Sequence, residues 1–215
     1  MGLINFGIPE SETLYLKNKL ALTSAIEGGT YTGGTARFLA GHFDHVFTIE
    51  KSDVMFAKAE QNLSGISNVQ LLKGDTRQHL RELADQCDNC LFWLDSHWSG
   101  GDTYGRGDEC PLIEELNILF SSRMQNFVVL IDDARLFLAP PPKPHDYTAW
   151  PGLREVVQVV PEDYDLIVHD DVIFITPKRL EFSRYLQDVV TDQLKSSGSN
   201  IWTNKIKSLV KKASS

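Results

Sequence analysis

Short apolar runs alternate with helix-period segments through the middle of the chain, which predicts successive β-α units around a mostly parallel sheet. Ser24-Ala25-Ile26-Glu27 reads as the first strand, running into a glycine-rich turn and a helix from about Gly34 to Gly41. His45–Glu50 is the second strand, and Ser52 behind it is suited to cap the next helix. Val69–Leu72 is the third, followed by a helix near Gln78–Gln86. Cys90–Asp95 is almost wholly apolar, so this fourth strand should be buried on both faces. A helix over Pro111–Phe120, with proline in its first turn, leads to a fifth strand at Phe127–Ile131.

The pattern then changes. Ala139–Pro151 carries five prolines and reads as a loop, because each proline fixes its own φ and lacks a donor. A short helix around Leu153–Val159 precedes two strands, Asp165–His169 and Val172–Thr176, separated only by Asp170-Asp171 and therefore expected to pair as an antiparallel hairpin. Leu180–Leu194 and Ile201–Lys212 read as two amphipathic helices, so residues 1–179 are expected to form the main domain and 180–215 a helical extension.

The 215 residues suit one full hydrophobic core. No apolar run reaches the ~18 residues of a membrane helix, the start lacks a secretory or myristoylation signal, and three cysteines cannot all pair. A cytoplasmic location is the expectation. The net charge of −8 argues against nucleic acid as a partner. Charge is unevenly spread: 178–215 holds eight basic and three acidic residues, against 13 basic and 26 acidic before it.

The turn after the first strand reads Glu27-Gly28-Gly29-Thr30-Tyr31-Thr32-Gly33-Gly34-Thr35. Its glycines let backbone pass close to a ligand, and the helix behind it offers free N–H groups. Glu50 ends the second strand, where a carboxylate can accept both hydroxyls of a ribose, and Asp75-Thr76 follow the third where an adenine edge would fall. Each signal alone has a plain reading as a tight connection or a solvated strand end. Together, in order along one sheet edge, they predict a nucleoside cofactor.

The turn matches E-x-G-x-Y-x-G-[GY]-[ST] at Glu27, Gly29, Tyr31, Gly33 and Thr35, and resembles the cofactor loop of catechol O-methyltransferase-like enzymes and of antibiotic-sugar O-methyltransferases. Phe47-Thr48-Ile49-Glu50 resembles their ribose-binding strand end, and the resemblance spans roughly Ala25–Arg135. It implies S-adenosylmethionine (SAM) as cofactor and a Rossmann-like doubly wound sheet of the class I SAM-methyltransferase type, mostly parallel with a C-terminal antiparallel hairpin. The Gly-x-Gly-x-x-Gly spacing of a dinucleotide turn is absent.

The fourth strand ends in Asp95-Ser96-His97-Trp98 and the fifth in Asp132-Asp133. Strand adjacency should bring Asp95, Asp132 and Asp133 together, and crowded carboxylates call for positive charge; oxygen ligands suit Mg²⁺ or Ca²⁺. The resemblance implies that these three bind a divalent metal that holds and acidifies the acceptor hydroxyl. The other reading of Asp132-Asp133 is a helix cap or turn. His97, two residues beyond Asp95, is a candidate general base; otherwise it is merely hydrogen-bonded. The sugar enzymes carry a carboxylate at this spacing and the catechol enzymes a lysine one residue later, where Trp98 stands, which argues against a catechol acceptor.

Ser99–Glu109 reads as a glycine-rich lid or a plain surface loop, with Asp108 and Glu109 as alternative caps of the following helix. Tyr147 and Trp150 are placed to wall an acceptor pocket. Cys87-Asp88-Asn89-Cys90 lacks the further ligands of a zinc site. The basic helix Ile201–Lys212 reads as a packing helix, with contact to an anionic membrane surface as its alternative. A metal-assisted SAM-dependent O-methyltransferase acting on a small polar or sugar hydroxyl is the leading expectation. A metal-independent methyltransferase and a non-catalytic SAM- or nucleoside-binding module are the alternatives, and association into a homo-oligomer stays open.

Overall fold

The computed structural model describes residues 7–98 and 108–195. Contacts divide the chain into two compact units, Met1–Pro177 and Lys178–Ser215. The first is built on a seven-stranded sheet in the order β3-β2-β1-β4-β5-β7-β6. Its strands are β1 (Ser24–Gly28), β2 (His45–Glu50), β3 (Val69–Lys73), β4 (Asn89–Leu94), β5 (Asn126–Ile131), β6 (Tyr164–His169) and β7 (Val172–Pro177). The first five are parallel, and β6 and β7 form the predicted antiparallel hairpin, with β7 inserted antiparallel between β5 and β6. This is the doubly wound, hairpin-ended sheet expected from the apolar pattern.

The helices are α1 (Glu10–Leu20), α2 (Gly34–Ala40), α3 (Asp53–Leu63), α4 (Thr76–Gln86), α5 (Leu112–Phe120), α6 (Arg135–Leu138) and α7 (Leu153–Val159). Ser52 caps α3, accepting the Met55 N–H. α4 begins two residues earlier than its apolar spacing suggests, because Asp75 caps it by accepting the Arg77 N–H. α1 carries no amphipathic signal: its buried positions are Thr13 and Leu16, so half of its inner stripe is polar. In the second unit, residues 182–195 are helical and the Phe182 and Tyr185 rings stack at 5.6 Å. The expected helix at Ile201–Lys212 and most of the expected lid, 99–107, lie outside the described residues. No described helix is long and apolar enough to cross a membrane.

The core fixes the height of the strand ends. Leu91, Phe92, Trp93 and Leu94 are all buried, as are Phe127–Ile131 and Val172–Ile175, so the central strands are covered on both faces. Each such large side chain contributes about 1.5–3 kcal/mol of transfer free energy. Register then pairs Leu94 with Ile131 and Gly28 with Leu94, which sets Gly28, Asp95 and Asp132 at the same edge.

Gly29 shows how tightly that edge is closed. Its φ is +88°, and an added Cβ would lie 2.1 Å from the Asp95 carbonyl oxygen. Gly29→Ala is expected to lower unfolding stability by at least about 1–3 kcal/mol, through strain and a backbone clash. Gly34→Ala, in helical backbone with open space at Cβ, is expected to raise it by about 0.5–1 kcal/mol. Urea unfolding of the two variants checks this opposition of sign.

Candidate active site

The carboxyl ends of β1, β2 and β3 form one half of the site. Glu50 ends β2 and is buried; its Oε2 accepts the Tyr31 N–H at 2.8 Å and its Oε1 the Ser52 N–H at 2.7 Å. These bonds fix the carboxylate in place while each oxygen keeps a second lone pair for a hydroxyl donor. Glu27 lies deeper, 1% exposed, and accepts the Thr48 hydroxyl at 2.6 Å and the Thr35 hydroxyl. Burial, aided by Asp95 and Glu50, raises its pKa to about 8. Burial thus favours the protonated form of Glu27, which braces β1, β2 and α2. Thr30 joins the same hydroxyl group, 2.5 Å from Thr48.

Gly29 and Gly33 both adopt positive φ, and the Gly33 position abuts Leu63. The Tyr31 side chain is 57% exposed, so its part in the turn is carried by its backbone N–H. Asp75, besides capping α4, pairs with Lys51 and Arg77, both at 2.7 Å. The Arg77 hydrogen bond holds its carboxyl well below the usual range. Thr76 is buried against the Gly28 position.

The ends of β4 and β5 form the other half. His97, 8% exposed, places Nε2 2.8 Å from Asp133 Oδ2 and 3.6 Å from Asp95 Oδ1. Asp133 adopts φ 56° and offers its other oxygen to Arg135 at 2.5 Å. Arg135 also pairs with Asp171 in the β6–β7 turn. Asp132 Oδ1 accepts the Asp133 N–H at 2.8 Å. The three aspartates therefore converge, and the positive charge that their convergence requires comes from within the chain. Burial opposes the charged imidazole, but Asp133, Asp95 and Asp132 outweigh it and raise His97 to about 8. Burial together with the neighbouring carboxylates pushes Asp132 to about 8 and Asp95 to about 6, whereas His97 and Arg135 lower Asp133 despite its burial.

In this arrangement the carboxylates are engaged by groups of the chain itself. Among the described residues no group of three or more His, Cys, Asp or Glu side chains is placed to hold a metal ion. Asp133 already binds His97 and Arg135, and one oxygen of Asp132 is held by a backbone N–H.

Of two further buried carboxyls, Glu115 was missed from the sequence and Glu109 was read as a lid end or helix cap. Glu115, on α5, accepts the Ser96 hydroxyl at 2.6 Å and lines a small cavity with His97, Cys110 and Phe137. Burial raises it to about 7. Its signal was present: Glu115 falls on the helical stripe of Leu112, Leu116 and Leu119, where a charge is out of place. Glu109 does not cap α5; its carboxylate accepts the Trp150 indole N–H at 2.8 Å, from 41 residues away, and no local pattern announces that contact. Of the two expected pocket walls, Trp150 is buried and packs edge-on to His97 at 5.3 Å, whereas Tyr147 is exposed.

No protein-family model and no curated protein matches the chain. Solved structures do. The O-methyltransferase TomG from Streptomyces achromogenes, involved in tomaymycin synthesis and solved in complex with SAM, aligns over 81% of this chain and 82% of its own at TM-score 0.56 and 16% identity. An O-methyltransferase from Bacillus cereus in complex with SAH aligns over 78% and 79% at TM-score 0.55 and 15% identity. At such identity the likeness is one of fold, and the fold is that of the class I SAM-dependent methyltransferases.

The site predicts an inverted pH dependence of stability. Glu27, Glu115, Asp95, Asp132 and His97 all bind protons more tightly folded than unfolded. Each contribution is fully present below the group's ordinary pKa and is lost as pH rises through the raised value. The carboxyl contributions fade from about pH 4 upward and that of His97 between 6.5 and about 8. The depressed Asp75 and Asp133 act below this window, where protonation removes their pairing. The urea midpoint should therefore be higher at about pH 5.5 than at about pH 8.5.

Proposed function

We propose that the protein is a SAM-dependent O-methyltransferase acting on a hydroxyl of a small polar molecule. The observation that carries this reading is a buried His97–Asp133 pair, 2.8 Å apart, on the same sheet edge as the anchored carboxylate of Glu50. SAM supplies an electrophilic methyl group on a sulfonium. Glu50, with both oxygens still able to accept, would hold the ribose hydroxyls, and Gly29, packed directly against the Asp95 carbonyl, would fix the turn that faces the cofactor. Glu27, Thr35 and Thr48 stiffen the floor beneath them. Tyr31 and Gly33 shape the turn, and Asp75-Thr76 form its far wall.

His97 would take the acceptor proton as the oxygen accepts the methyl group. Asp133 orients the imidazole and stabilises its protonated form, and Arg135 in turn holds Asp133. Asp95, raised to about 6, still carries charge at neutral pH beside His97, whereas Asp132, raised to about 8, is held further toward its protonated form. The acidic surroundings disfavour an anionic acceptor.

Tritiated methyl transfer from SAM to a panel of hydroxyl compounds tests the reading. Turnover should rise with pH through about 8 in the parent, following deprotonation of His97. His97→Ala should lose about 10²–10⁴-fold of turnover and this pH dependence. Glu50→Ala should weaken SAH binding by about 1–3 kcal/mol in calorimetric titration. Unchanged SAH affinity in Glu50→Ala would reject the ribose assignment. The same assay, run with chelator and then with added Mg²⁺, addresses the metal assistance that the sequence resemblance implied. Full turnover in chelator fits a proton transfer carried by His97. Turnover restored only by Mg²⁺ would instead place Asp95, Asp132 and Asp133 around an ion.

A further inference from the structure

The prolines of 140–151 suggest a passive connection, yet the segment is fastened at one point. Glu109 is 4% exposed, and its carboxylate collects three donors from this strap: the Trp150 indole N–H at 2.8 Å, the Asp146 backbone N–H at 3.2 Å and the His145 ring N–H at 3.3 Å. The Glu109 carbonyl also accepts the Trp98 N–H at 2.8 Å, which ties Glu109 to the backbone just past β4. Aromatic rings complete the joint. His145 lies edge-on to Trp98 at 5.3 Å and to Trp150 at 5.2 Å, while Phe137 packs on Trp150 at 5.7 Å. Trp150 in turn meets His97 at 5.3 Å with an interplanar angle of 62°. The imidazole is thus set by Asp133 through a hydrogen bond and by Trp150 through packing.

Among the described contacts the Glu109 side chain makes no hydrogen bond to His97 or the strand-end aspartates, so its influence on the imidazole passes through the strap, where Trp150 packs on the ring. Without the Glu109 carboxylate the buried indole N–H would lose its acceptor, and the strap would lose the acceptor that Trp150, Asp146 and His145 share. We propose that Glu109 is a positioning residue for the reaction at His97: it clasps the proline-rich strap onto the end of β4 and holds Trp150 against the imidazole. This inference rests on the methyltransferase reading of the site, but the clasp itself has physical consequences independent of turnover.

The experiment compares Glu109→Ala, Glu109→Gln and Trp150→Phe with the parent by three measurements. Chymotrypsin cleavage after the exposed Tyr147 reports release of the strap; the ¹⁵N-histidine NMR signal of His97 reports its surroundings; and kcat for the acceptor is set against SAH affinity. Glu109→Ala should be cut about tenfold faster or more, as the loss of a buried acceptor for several donors implies. It should shift the His97 signal and lower kcat by about 10²-fold, with SAH affinity at the parent value. Glu109→Gln, whose amide oxygen can still accept the indole N–H, should recover most of both, and Trp150→Phe should fall between. A folded Glu109→Ala with parental cleavage and a parental His97 signal overturns the proposal, as does parental kcat. If Glu109→Ala does not fold, the other two variants decide on the same measurements. A parent that methylates nothing, with strap release and the His97 shift still present in Glu109→Ala, keeps the clasp and rejects the methyltransferase reading.

Discussion

Glu27, Glu50, Asp75, Asp95, Asp132 and Asp133 all stand at or just beyond the carboxyl ends of five adjacent parallel strands, and their mutual repulsion must be offset for the sheet to exist in this form. The fold meets the requirement separately at each position. Glu50 receives two backbone N–H groups, Asp75 two cations and a helix N-terminus, and Asp133 both His97 and Arg135. Glu27 and Asp132 are held toward the protonated form by burial. The devices that compensate the carboxylates are also the ones that orient them.

Two chemically different halves result. On the β1–β3 side the carboxylates are fixed by backbone and by ion pairs, a rigid setting suited to recognising hydroxyls. On the β4–β5 side the compensating groups include His97, whose pKa the aspartates raise to about 8, so charge there can move as a proton. Asp108 and Glu109 stand where the halves meet. Asp108 pairs with Arg77 and Lys51 beside Asp75, and Glu109 holds the strap that carries Trp150. Adjacent residues thus bind groups on both sides of the sheet edge.

Most of the fold was legible because buried parallel strands have a strong signature: continuous apolar runs such as Leu91–Leu94 cannot be mistaken for solvated segments. The hairpin was legible from two residues between alternating runs. α1 was not, because its inner face carries Thr13 in place of an apolar residue. The convergence of Asp95, Asp132 and Asp133 followed from strand order alone, but the source of their compensating charge did not. Arg135 acts through a left-handed Asp133 and a turn 36 residues distant, a tertiary arrangement with no local pattern. The Glu109 contacts were hidden for the same reason, whereas Glu115 was visible on an apolar helical stripe and went unread.

The central claim is that this sheet edge holds SAM with its reactive end beside His97. A crystal structure of the protein with bound SAH tests it most directly. The account predicts ribose hydroxyls on Glu50 and the thioether sulfur facing His97. SAH bound elsewhere, or bound at this edge with the sulfur turned away from His97, would contradict it.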